Sequence, residues 1–101
     1  MIRTIETRNL TNHAYSQCKV YVTENTVTGG RNYIFESYKT IAASLDEEGF
    51  LSVTCLCSAT TRKQVSWFLK EYAPMVSYQI AKILYNNNEA VNIYTGEIIS
   101  L

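Results

Sequence analysis

An α+β fold is what this sequence predicts: an antiparallel sheet of three to four strands, followed by two helices and a short C-terminal hairpin. Three observations carry that reading. Between Gln17 and Cys57, apolar and polar residues alternate at period two, as half-buried strands require. From Thr61 to Tyr72 the period becomes helical, with Val65, Phe68, Leu69 and Tyr72 at i, i+3, i+4 and i+7. Beyond Pro74 a second helical stripe appears before the chain returns to short strand-like runs.

The elements follow in order. Met1 to Thr7 alternates weakly and reads as a short strand or a frayed end. Gln17 to Thr23 is clearer, with Cys18, Val20 and Val22 on one face and Lys19, Tyr21 and Thr23 on the other. Glu24-Asn25 and Thr28-Gly29-Gly30 mark turns. Asn32 to Leu45 then reads as one strand-like run, with Tyr33, Phe35 and Ser37 facing away from Ile34, Glu36 and Tyr38. The turn Asp46-Glu47-Glu48-Gly49 joins it to a second run, Phe50 to Cys57, in which Leu51, Val53, Cys55 and Cys57 share a face.

Thr61-Arg62-Lys63-Gln64 has capping-box spacing and opens the first helix. Pro74 closes it, because the residue before proline is pushed out of the α region. Val76, Ile80, Ile83 and Leu84 keep helical spacing in the second helix, with Tyr78 and Tyr85 beside the stripe and Asn86-Asn87-Asn88 at its end. Val91 to Tyr94 and Glu97 to Ser100 flank Thr95-Gly96 as a closing hairpin. No repeat or linker divides the chain, so residues 1–101 read as a single domain.

The order Ser37-Tyr38, Thr40, Ala42, Gly49, Ser58, Thr60-Thr61, Lys63 and Phe68-Leu69 resembles a small uncharacterised domain family found in proteins of bacteriophages and mobile elements. The resemblance implies provenance rather than activity, since that family has no established function.

Composition narrows the function classes. Nine basic and nine acidic residues cancel, which excludes a broad electrostatic footprint for nucleic acid or a membrane surface. No apolar run approaches the roughly 18 residues that cross a bilayer, and Met1-Ile2-Arg3 begins no signal peptide, so a cytoplasmic protein is expected. The cysteines Cys18, Cys55 and Cys57 are odd in number, which argues against a closed disulfide framework. A structural zinc site needs about four Cys or His ligands, and with His13 the sole histidine all of them would have to converge on one ion. No metal or other cofactor is expected. His13 has no acidic neighbour and reads as an exposed loop residue, and Gly29-Gly30 lacks a P-loop lysine. An enzyme is not expected.

Two features remain. One is charge: Arg62, Lys63 and Lys70 on or beside the first helix, set against the acidic tip Asp46, Glu47 and Glu48. The other is tyrosine, eight in all, whose large ring and polar tip suit protein interfaces. Tyr78 and Tyr85 are the tyrosines nominated alongside these charges. The expected function is a non-catalytic, phage-type binding protein acting through protein–protein contacts. Its concrete form is an anti-CRISPR-like inhibitor of a host defence complex, with a host nuclease complex as partner. The alternative is a small nucleic-acid-binding accessory protein using the basic side of the 62–72 helix. No membrane partner is expected, and a homodimer is compatible with the sequence.

Overall fold

The computed structural model describes residues 2–9 and 18–101. Its sheet has seven strands, which corrects the expected three to four. They are β1 (Ile2–Asn9), β2 (Cys18–Asn25), β3 (Arg31–Ser37), β4 (Thr40–Leu45), β5 (Phe50–Val53), β6 (Glu89–Asn92) and β7 (Ile98–Ser100). They lie side by side in chain order and every neighbouring pair is antiparallel. The helices α1 (Ala59–Tyr72) and α2 (Tyr78–Asn87) both fall between β5 and β6. Among the described residues, no helix is long and apolar enough to cross a membrane.

The strand count rose for three separate reasons. The run from Asn32 to Leu45 is two strands, because Tyr38 and Lys39 both take positive φ, 50° and 66°, and Ser37 pairs with Thr40. That is the geometry of a tight hairpin turn, built without the Gly or Asn that normally announces one. At the N-terminus, β1 pairs along β2 from Ile2–Asn25 to Asn9–Lys19, with a bulge between Thr4 and Glu6. The C-terminal hairpin is no separate unit: β6 pairs with β5 through Leu51–Val91, so the chain after α2 extends the sheet.

Register sorts the sheet into a packed face and an open one, since directly paired residues point the same way. Val20, Phe35, Ala43 and Val53 form one packed row, and Val22, Tyr33, Leu45, Leu51 and Val91 form the next. Helix α1 lies against β3 and β4, and α2 against β5 and β6. On the other face Thr7, Tyr21, Ile34, Ser44, Ser52, Ala90 and Ile99 make a row across all seven strands, of which only the small Ala90 is buried. Ser44 and Ser52 join across it by a 2.8 Å hydroxyl hydrogen bond.

Helix α1 begins three residues earlier than the capping-box spacing suggested. Ser58 is the N-cap, its hydroxyl accepting from the Thr61 backbone N–H at 3.1 Å. Gln64 is therefore free of capping duty and is buried, its Oε1 accepting from Ser37 Oγ at 2.6 Å, while Ser37 and Thr61 hydroxyls lie 3.2 Å apart. This polar knot pins α1 to the end of β3 with its groups satisfied. The other face-to-face contact is aromatic: Phe68 stacks on Phe35 with centroids 5.5 Å apart, and Tyr72 lies 5.0 Å from Phe68 and 4.9 Å from Tyr33.

Helix α2 starts at Tyr78 after the N-cap Ser77 and ends at Asn88, whose φ of 54° is the left-handed cap expected of an Asn run. Its buried residues are Ala81 and Leu84, whereas Ile80 and Ile83 are exposed. The apolar stripe is wider than the surface available to cover it.

Gly49 closes the β4–β5 turn at a φ of 97°, with its carbonyl accepting from Ile93 N–H at 2.8 Å. A Cβ there would sit 2.6 Å from the Tyr94 ring. Tyr94 is exposed and can move aside, so the backbone decides the cost. Gly49→Ala is expected to destabilise the fold by about 1–3 kcal/mol, read as a lower midpoint in urea unfolding.

Candidate binding site

Alternate faces of α1 do different work. Thr61, Val65, Phe68 and Leu69 are buried, so Arg62, Lys63, Ser66, Trp67 and Lys70 are carried to the outer side at helical spacing. With Tyr78 from the start of α2 they line one shallow groove of about 360 Å3. A second hollow of about 260 Å3 shares Ser66, Lys70 and Tyr78 and continues over Leu69, Pro74 and Val76. Together they follow the outside of the α1–α2 junction, basic at one end and more apolar at the other.

Within the groove, Lys63 Nζ stands 5.5 Å from the centroid of the Trp67 ring, a cation–π arrangement that steadies both side chains. Arg62 Nη1 donates to the Leu56 carbonyl at 3.3 Å, which draws the guanidinium back toward the β5–α1 connection. Salt bridges among the described residues join Arg3 to Glu24 and Arg8 to Glu6, and involve none of these three cations. The groove therefore offers positive charge, hydroxyls and aromatic rings to an anionic surface.

Of the eight nominated residues, the fold gathers Arg62, Lys63, Lys70 and Tyr78. The acidic tip lies outside this groove and is occupied in holding loops. Asp46 Oδ1 accepts from the Glu48 and Phe50 backbone N–H groups, each at 2.9 Å. Glu47 Oε2 accepts from Thr28 Oγ1 at 3.0 Å, and the Glu48 carbonyl accepts from Asn92 Nδ2 at 3.0 Å. Tyr85 is half-buried and packs against the core. Trp67 was not among the eight; it lies outside the stripe Val65, Phe68, Leu69 and Tyr72, and its place one residue before Phe68 was the available signal for the outer side of the helix.

The cysteines also depart from expectation. Strand β5 ends at Val53, so Cys55 and Cys57 sit in the connection to α1 rather than on a strand face. All three thiols are free, with Cys18 and Cys55 buried and Cys57 exposed. Among the described residues, no three His, Cys, Asp or Glu side chains gather as a metal site. His13 lies outside the described residues.

A further cluster sits where β1 meets the end of α1. Arg8 Nη1 donates to Tyr72 Oη at 3.3 Å, Nη2 donates to Glu6 Oε2 at 2.8 Å, and the guanidinium lies 6.0 Å from the Tyr33 centroid. Burial, reinforced by Glu71, pushes the Tyr72 hydroxyl up to about 12 from 10.0, against the opposing pull of Arg8. Burial likewise pushes the Cys18 thiol up to about 11 from 9.0. Both groups favour the neutral form in the folded state, so above their ordinary values the unfolded chain binds fewer protons than the folded one. The contribution of these two groups to stability is then expected to be constant below pH 9.0 and to be lost progressively from there to about 12. Urea midpoints across that range check this, and Tyr72→Phe should flatten the upper part of the fall.

A family model described as a family of unknown function, DUF8033, matches residues 8–83. The chain belongs to that family. The matched span runs from the end of β1 into α2 and contains every groove residue of this DUF8033 chain. Comparison with curated proteins and with solved structures returned no match.

Proposed function

We propose that this DUF8033 protein is a non-catalytic binding protein that seats an acidic surface of a partner protein in the α1 groove. One observation carries the reading: Trp67, Tyr78, Arg62, Lys63 and Lys70 line a single groove. Trp, Tyr and Arg are the residue types that dominate binding energy at protein interfaces. The neighbouring cations would steer an acidic partner in, and set its orientation more than its affinity. The resemblance to phage and mobile-element proteins gives the proposal a concrete form, a cytoplasmic inhibitor that occupies a surface of a host defence nuclease complex.

A second reading rests on the Lys63–Trp67 pair, which resembles the stacking platform and adjacent cation of single-strand binders. Three cations limit it. Neutralising about three phosphates gives a salt slope near −2 to −3, shallow beside that of dedicated nucleic-acid binders.

The two readings separate in one experiment. Mobility shifts with duplex and single-stranded probes are run across a salt series, beside capture from nuclease-treated host lysate, for wild type and the double variant Arg62→Ala, Lys63→Ala. The expected result is no appreciable shift at physiological salt, and a protein partner whose recovery is lost in the variant. Submicromolar, salt-sensitive shifts that the variant abolishes would overturn the proposal in favour of nucleic acid.

A further inference from the structure

Cys55 and Cys57 line neither hollow of the groove, yet their sulfurs lie 2.8 Å apart. A disulfide needs about 2.05 Å, so closure requires an approach of under about 1 Å. The two thiols differ in setting. Cys55 is buried and its backbone N–H is held by the Ala42 carbonyl of β4 at 3.3 Å. Cys57 is exposed, next to the Ser58 N-cap. Leu56 lies between them, and its carbonyl is the acceptor for Arg62 Nη1.

We propose that Cys55 and Cys57 form a dithiol site for small-molecule disulfides, and that its closure repositions Arg62 through the Leu56 carbonyl. The link to Arg62 rests on the groove reading above, whereas the thiol chemistry does not. Cys57 loses its proton to solvent and its thiolate attacks one sulfur of the incoming disulfide. That S–S bond breaks, one thiolate leaves and takes up a proton, and Cys57 carries the other half as a mixed disulfide. Cys55 then gives up its proton, attacks Cys57 Sγ and expels the second thiol, which takes up a proton in turn. Two protein thiols are oxidised, one external disulfide is reduced to two thiols, and protons balance. Desolvation pushes the Cys55 thiol up, so alkaline solution accelerates the second displacement. Ring closure on either side of Leu56 turns its carbonyl, and the Arg62 guanidinium that donates to this carbonyl lines the groove together with Trp67.

The test incubates the full chain, wild type and Cys18→Ala, at a series of reduced-to-oxidised glutathione ratios, then alkylates and digests it. The expected product is a Thr40–Arg62 peptide lighter by two hydrogens and free of glutathione. It should form at a ratio about tenfold more reducing than an isolated peptide of the same span requires, because the fold holds the sulfurs together. A lasting glutathione adduct on Cys57, or closure no easier than in the peptide, would overturn the site. Trp67 is the sole tryptophan, so closure should shift its emission, and Arg62→Ala should abolish the shift while the disulfide still forms. Closure with unchanged emission in wild type would overturn the link to Arg62. Neither result bears on partner binding by the reduced protein, which the capture from lysate measures separately.

Discussion

Phe68→Ala is expected to destabilise the protein by about 3–5 kcal/mol, the range for removing a fully packed phenyl ring. Phe68 is 0% exposed and stacks on Phe35, the residue at the centre of the packed sheet face. It also supports Tyr72, which in turn meets Tyr33 and Arg8. Truncation would leave a cavity between helix and sheet that none of these rings can fill without leaving its own contacts. Chemical denaturation with the m-value monitored is the measurement, since an unchanged m-value assigns the midpoint shift to stability alone. A loss under about 1 kcal/mol would mean that α1 is not seated through this ring.

Trp67→Ala, one position earlier, should act on binding instead. Trp67 is only half-buried, on the outer side of α1, and it is the largest side chain among those lining the groove. Truncating a central aromatic anchor costs 2 kcal/mol or more, roughly thirtyfold in affinity. The stability loss should stay below about 2 kcal/mol, because part of the ring still faces solvent in the folded chain. Titration of the captured partner against wild type and Trp67→Ala, beside the same denaturation curves, checks both halves. Retained affinity would displace Trp67 from the interface. Equal stability losses for Trp67→Ala and Phe68→Ala would show that the two faces of α1 are not distinct.

Periodicity along the chain was enough to establish local structure wherever one face is buried. Val20 and Val22, Phe35 and Ser37, Leu51 and Val53 all face the packed side as alternation demands. The α1 stripe Val65, Phe68, Leu69 and Tyr72 likewise turns inward, because burial imposes its period on the residues that bear it. Several residues of the pattern read in the sequence are builders of this frame: Tyr38 takes the positive φ of the β3–β4 turn, Gly49 that of the β4–β5 turn, and Ser58 caps α1. Ser37 and Thr61 are buried in the knot between β3 and α1.

Tertiary structure decided the rest. Pairing of β6 with β5, and of β1 with β2, depends on backbone groups that carry no side-chain signal, so the extent of the sheet was hidden. The fate of equal charges was hidden too. Asp46 and Glu47 are spent on loop hydrogen bonds, while Arg62, Lys63 and Lys70 are gathered beside Trp67 along one groove. Spacing places a residue on a face, but which faces meet depends on how the helices settle on the sheet. Only that packing brings Tyr78 of α2 to the groove of α1 and leaves Tyr85 of the same helix against the core.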